Sequence, residues 1–144
     1  MAGKATDLAT LLRLRAWNVD ERRRELGILI AREEELILLG EELDRQLIRE
    51  QKVAAEDPTS VGYIYASFAK GHKARREQLQ SHLAALRAEI EAAREQLNEA
   101  YREEKVLQEV QKERQRQEGE QEKRVLQASY DEIGMTQYRA RDKG

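Results

Sequence analysis

Two long heptad-patterned runs, joined by a short segment that holds the only proline, constrain this chain more than any other feature. The first run covers about residues 5–55 and the second about residues 61–138. Residues 56–60 lie between them and are of types that end or cap helices. Two helices with one break can bury apolar side chains only by folding back or by pairing with another molecule.

Apolar residues in both runs recur at the alternating three- and four-residue spacing of a coiled coil. In the first run the spacing defines two seam rows, and eight of the twelve positions are apolar: Leu12, Val19, Leu26, Glu33, Gly40 and Leu47, then Leu8, Arg15, Arg22, Leu29, Leu36 and Leu43. The second run repeats the spacing in Leu79, Leu83, Leu86, Ile90, Ala93, Leu97, Ala100 and Leu107. The sequence therefore predicts an all-α fold of two long amphipathic helices.

The unequal lengths of the runs favour a long antiparallel coiled-coil hairpin. At a rise of 1.5 Å per residue, the first helix would be roughly 75 Å long and the second about 115 Å. If the chain doubles back at Pro58, Leu36 comes level with about Leu83 and the apolar stretches coincide. Residues from about 111 to 139, here called the C-terminal segment, would then form an overhanging helix. We expect one domain and a monomer, although a dimer could also satisfy the heptads.

Composition excludes several classes of function. The chain has 26 Lys and Arg against 28 Asp and Glu, a balance that does not indicate nucleic acid as the main partner. It has no cysteine, so disulfides and thiolate zinc sites are excluded. No apolar stretch approaches the roughly 20 residues that span a bilayer, and Arg13 and Arg15 interrupt the leucines near the N-terminus. The expected location is the cytoplasm.

The residues that could carry chemistry are better explained as a solvated helix surface. The acidic clusters at 33–35 and 41–42 have no predicted pocket to perturb their pKa values. His72 and His82 are ten residues apart, not at the i,i+4 spacing that places two ligands on one helix face. We therefore expect no catalysis, no cofactor and no metal.

Aromatic residues mark two candidate contact regions. Tyr63, Tyr65 and Phe68 make up half of the Tyr and Phe residues and cluster at the start of the second run. They could close the turn or form a partner site, because aromatic side chains are enriched at interface hot spots. Trp17 lies among charged residues; it could pack at the edge of the seam or mark a docking face.

Two segments carry a resemblance to a known family. Residues 12–21, LRLRAWNVDE, resemble the opening of the flagellar export protein FliJ, and the stretch holding Tyr65 and Phe68 is also similar to the family. Residues 130–133, YDEI, are similar to the family's Leu-Asp-Glu ending, with Tyr130 in place of Leu. The resemblance covers nearly the whole chain. It implies an antiparallel coiled coil similar to the central stalk of rotary ATPases.

The resemblance also implies partners in the flagellar type III export apparatus. These are the hexameric export ATPase, the export-gate protein FlhA at the inner membrane, and empty substrate chaperones. In the family the gate contact uses an apolar strip soon after the turn, which Phe68 matches and Leu79 continues. His72 and Arg75 depart from that strip, because both are polar.

For contact with an ATPase ring, the overhanging C-terminal segment is the candidate, because a solvated polar helix can enter a ring without a large apolar patch that would fix it in place. Its apolar candidates are Leu126, Tyr130 and Ile133, and its basic candidates are Arg114, Arg116 and Arg124. Two alternatives stay open on sequence alone. The chain could be the corresponding stalk of a virulence type III secretion system, or a structural coiled-coil dimer with no role in export.

Overall fold

The structure, a computed structural model, describes residues 2–56 and 62–143, and the side chains of residues 7–56 and 63–143. The chain forms two helices, α1 (Ala2–Glu56) and α2 (Gly62–Asp142), with no strand among the described residues. The all-α two-helix hairpin is confirmed. Residues 57–60 of the predicted turn lie outside the described residues. Over the part of the chain that is described, neither helix has a stretch long and apolar enough to cross a bilayer.

Both helices extend beyond the ends that the sequence indicates. Thr6 and Asp7 resemble an N-cap, yet α1 already begins at Ala2; three of the four residues from 2 to 5 are Ala or Lys, which are good helix formers. Likewise α2 continues past Gly134 to Asp142. A glycine within a helix costs only about 1 kcal/mol relative to alanine, which the helix-forming neighbours offset.

The chain divides into two compact units, one of Met1–Ala16 with Tyr101–Gly144 and one of Trp17–Ala100. In the Trp17–Ala100 unit the helices run antiparallel along an apolar seam. Its buried apolar side chains are Val19, Leu79, Leu86, Ile90, Ala93 and Ala100. The Nη1 of Arg22 donates to the Oε1 of Gln96 over 3.0 Å, and the Nε of Arg87 donates to the Oε2 of Glu33 over 3.3 Å. These contacts agree with the predicted register of Leu36 against Leu83.

In the other unit, the start of α1 packs against the part of α2 that begins at Tyr101. Leu8 is buried, and Arg15 Nη1 forms a 2.5 Å ion pair with Glu103 Oε2. Further along α2, every described side chain from 112 to 143 is exposed, and only the backbone position Gly119 is partly covered. Most of the C-terminal segment therefore has no packing partner within its unit.

An engineered cysteine pair tests the hairpin and its register. Leu36→Cys with Leu83→Cys should form a disulfide within one chain, because these positions face each other near the contacts of Glu33 with Arg87 and of Gly40 with Leu79. The chain has no native cysteine to compete. Leu38→Cys with Leu83→Cys is the control, since Leu38 is exposed. Non-reducing gels report the result, and disulfides formed only between chains would contradict the hairpin.

Candidate interaction surfaces

The concave features of the described surface are shallow and open. Among the described side chains, no group of three or more His, Asp or Glu could hold a metal ion. Exposed large apolar side chains lie at many points on both helices, among them Ile28, Leu38 and Leu39 of α1. Most of the predicted contact residues lie in three of these places: near the start of α2, at Trp17, and along the C-terminal segment.

A turn-proximal surface lies at the start of α2 and is lined by Tyr63, Ile64, Ser67, Phe68, Gly71 and Arg75. Tyr63 is 89% exposed and Ile64 is also exposed, whereas Phe68 is half-buried. The guanidinium carbon of Arg75 lies over the Phe68 ring, 5.5 Å from its centroid. Such a contact contributes about 0.5–1 kcal/mol at an exposed site and holds the ring in place. The surface therefore combines aromatic, aliphatic and cationic groups.

Tyr65 differs from its aromatic neighbours because it reaches across to α1. Its hydroxyl accepts a 3.0 Å hydrogen bond from the Nε2 of Gln51, and the residue is half-buried. This contact joins the two helices near the turn. Tyr65 thus has the hairpin-closing role that the sequence left open for this cluster, while Tyr63 and Phe68 supply the surface.

Leu79 and His72 do not continue the strip that starts at Phe68, and this corrects the expectation for Leu79. Leu79 is only 4% exposed and packs in the hairpin seam, so it offers very little surface to a partner while the hairpin is closed. His72 is 9% exposed and also faces α1. The cause is the heptad spacing, since 72 and 79 share the inward face with Leu86. Arg75, between them, faces outward over Phe68.

Trp17 lies on the surface rather than in the seam. Its side chain is 59% exposed, while Val19, two residues further along α1, is buried in the seam. A large exposed indole among polar neighbours is a candidate contact residue, because Trp is enriched at interface hot spots.

The C-terminal segment carries several exposed apolar side chains. Leu126, Tyr130 and Ile133 recur at i, i+4 and i+7 and so share one face of α2. Val125, Met135 and Tyr138 are exposed as well. Met135 and Tyr138 line a shallow depression with Tyr130 and Gly134, and neither was among the predicted contact residues. The tyrosines at 130 and 138 flanking Gly134 at four-residue spacing could have indicated this depression from sequence.

The three candidate arginines of this segment are not equivalent. Arg116 forms ion pairs of 2.6 Å with Glu113 and 2.5 Å with Glu120, whereas Arg114 and Arg124 have no ion pair among the described residues. The hydrogen bond from Arg116 lowers the pKa of Glu113, and the same hydrogen bond is the main reason that the pKa of Arg116 is raised. Both groups therefore stay charged at neutral pH. Of the three candidate arginines, Arg114 and Arg124 therefore have charge left to attract a partner.

These features place the protein in the class of helical coiled-coil hairpins, and its candidate contact sites are exposed surfaces of the two helices. Residues 4–143 match the family model described as FliJ, the flagellar FliJ protein. The chain therefore belongs to the FliJ family of non-catalytic helical proteins and has a role related to flagellar type III export. No curated protein and no solved structure matches the chain.

Proposed function

We propose that this protein is a stalk-like adaptor of the flagellar type III export apparatus, acting between the export ATPase, the export gate and substrate chaperones. Family membership supplies the context. The observation that carries the proposal is the C-terminal segment, a helix whose described side chains from 112 to 143 are all exposed apart from Gly119. A helix without a packing partner in its unit has its surface available for another protein.

The composition of the C-terminal segment fits contact with the inner surface of an ATPase ring. Residues 111–124 are all charged or Gln apart from Gly119, so they present no large apolar patch that would fix the helix in one position. Arg114 and Arg124 provide attraction that salt weakens, because both side chains are exposed. Leu126, Tyr130 and Ile133 provide a short apolar face for a more specific contact.

The turn-proximal surface is the proposed contact for the export gate, FlhA. Phe68 is its anchor, with Tyr63 and Ile64 exposed beside it. Leu79 is not part of this proposed contact, because it is buried in the seam. The exposed Trp17 is a candidate for a separate contact, for which substrate-specific chaperones are the proposed partner.

The proposed role also specifies how the protein acts and where in the cell it works. The protein acts without catalysis, cofactor or nucleic acid, as a monomer when free. It works in the cytoplasm and reaches the inner membrane only through the export gate. ATPase regulation and chaperone handling are the activities that we assign to it.

Phe68→Ala should reduce export more than folding. We expect a loss of about 1–2 kcal/mol in gate binding, or roughly five- to thirtyfold in affinity, because truncation of an aromatic anchor is costly at an interface. Export is measured as flagellar substrate released into the medium, and stability by thermal unfolding followed by circular dichroism. Tyr65→Ala is the matched control: it removes a hydrogen bond between the helices and should lower stability more than export. Parallel losses of stability and export in Phe68→Ala would assign this residue to turn packing instead.

A further inference from the structure

Polar side chains also lie along the seam of the Trp17–Ala100 unit, and one cluster of them is centred on a buried residue. His72 is the one polar or charged side chain that is buried among the described residues. Its Nε2 lies 3.2 Å from Oδ1 of Asp44 on the facing helix, so the ring donates a hydrogen bond to that carboxylate. Arg76, one turn further along α2, places its Nε 3.4 Å from the same oxygen. Two side chains of α2 therefore converge on one carboxylate of α1.

Gly40 completes the cluster from the turn of α1 next to Asp44. A Cβ at this position would overlap Nη1 of Arg76 and lie only 3.0 Å from a methyl carbon of Leu79. The missing side chain of Gly40 thus leaves the space through which the Arg76 guanidinium crosses the seam. Glycine lowers helix propensity by about 1 kcal/mol, and a larger residue at position 40 would require the side chains of Arg76 and Leu79 to shift.

The apolar residues of the seam do not by themselves select one register. Heptad positions are equivalent after a slip of seven residues, so Leu36, which is level with Leu83, would meet the apolar Ile90 after a slip in one direction. The Gly40 space and the Asp44 acceptor occur once each in the unit, and only one alignment places Arg76 and His72 against them. A slip of one heptad would leave the buried His72 imidazole without its acceptor and facing other side chains of the seam, which is costly.

We propose that Gly40, Asp44, His72 and Arg76 form a register lock that fixes the alignment of α1 and α2. Polar groups inside a coiled-coil seam are known to select register at some expense of stability. The lock determines which α1 residues stand opposite Phe68 and Arg75, and so it preserves the turn-proximal surface. It rests on the hairpin itself and does not depend on the proposed role in export.

The test replaces the polar members by leucine and measures register directly. The triple variant Asp44→Leu, His72→Leu, Arg76→Leu should remain as stable as the parent or become more stable, because apolar replacement of an ion-paired cluster at a helix seam is often neutral or stabilising. It should nevertheless lose its single alignment. Register would then be lost without a loss of stability. Removal of a contact that only stabilises the hairpin would instead lower stability and leave the register unchanged.

Register is read as a distance between two spin labels by pulsed electron paramagnetic resonance. The labels are attached to cysteines introduced at Ala31 on α1 and Asn98 on α2, both exposed and offset along the axis. Labelled protein is diluted with unlabelled protein so that only distances within one chain contribute. A slip of one heptad moves one label by about 10 Å along the helix axis. The parent should give one distance, and the triple variant should add a second one displaced by several ångströms.

The control variant Glu42→Ala, Arg45→Ala, Arg49→Ala removes an ion-pair cluster of similar size from α1 outside the seam and should keep one distance. Asp44→Ala, which removes only the shared acceptor, decides the question if the triple variant does not fold. It should broaden the distribution or add the same second distance. One unchanged distance in both the triple variant and Asp44→Ala would overturn the register lock and assign the alignment to the segment that joins the helices.

Discussion

Removal of the residues after Val110 should abolish stimulation of the export ATPase, because the proposed contact residues for that enzyme all lie in the C-terminal segment. The truncated chain keeps the buried seam residues, including Leu86, Ile90 and Ala93, which lie in the other unit. Its helices near the turn should therefore unfold at nearly the same temperature as those of the full chain. ATP hydrolysis by the purified ATPase, measured with increasing amounts of either chain, checks this prediction.

A full-length variant separates loss of the segment from loss of its contacts. Leu126→Ala, Tyr130→Ala, Ile133→Ala removes the apolar face and keeps the helix, since alanine is the best helix former. We expect at least a tenfold loss of affinity for the ATPase, equivalent to about 1.4 kcal/mol. The matched control, Gln115→Ala, Gln117→Ala, Gln121→Ala, changes exposed polar residues of the same segment and should behave as the parent. Full stimulation by the truncated chain would rule out the stalk role of the segment but not the gate contact.

Leu86→Ala should destabilise the hairpin by about 2–4 kcal/mol, the usual cost of removing a buried leucine and leaving a cavity. Leu86 is 6% exposed in the seam. Leu36→Ala should cost less, because Leu36 is only half-buried. Gln115→Ala should change the free energy of unfolding by less than about 0.5 kcal/mol, since exposed positions of this kind seldom matter.

Denaturant unfolding followed by circular dichroism at 222 nm measures these differences. An equal loss in Leu86→Ala and Gln115→Ala would show that the polar stretch is packed within the molecule and that the seam is placed wrongly.

The heptad spacing predicted the seam residue by residue. All seven apolar side chains that the structure buries stand at predicted seam positions: Leu8, Val19, Leu79, Leu86, Ile90, Ala93 and Ala100. The register near Leu36 and Leu83 also agrees with the observed contacts. Periodicity succeeds here because a two-helix fold has one interface, and every buried side chain must lie on the stripe that faces it.

Sequence reasoning was less accurate where one residue had two interpretations. Leu79 belongs to the heptad series that runs from His72 through Leu86 and Ala93. That spacing buries Leu79 in the seam, whereas the family resemblance had placed it on an exposed strip. The same spacing could have placed His72 in the seam. The partners of Arg22 and Arg76 could not be predicted, because long side chains choose among several acceptors within reach.

Hydrogen exchange of the backbone amides, with and without the purified export ATPase, tests the central claim most directly. In the free protein, amides from about 112 to 138 should exchange much faster than those near Leu86, because their helix has no packing partner within its unit. Adding the ATPase should slow exchange in that segment and leave amides near Leu86 unchanged. Identical exchange of the segment in the presence and absence of the ATPase, at concentrations that stimulate ATP hydrolysis, would contradict the proposed stalk.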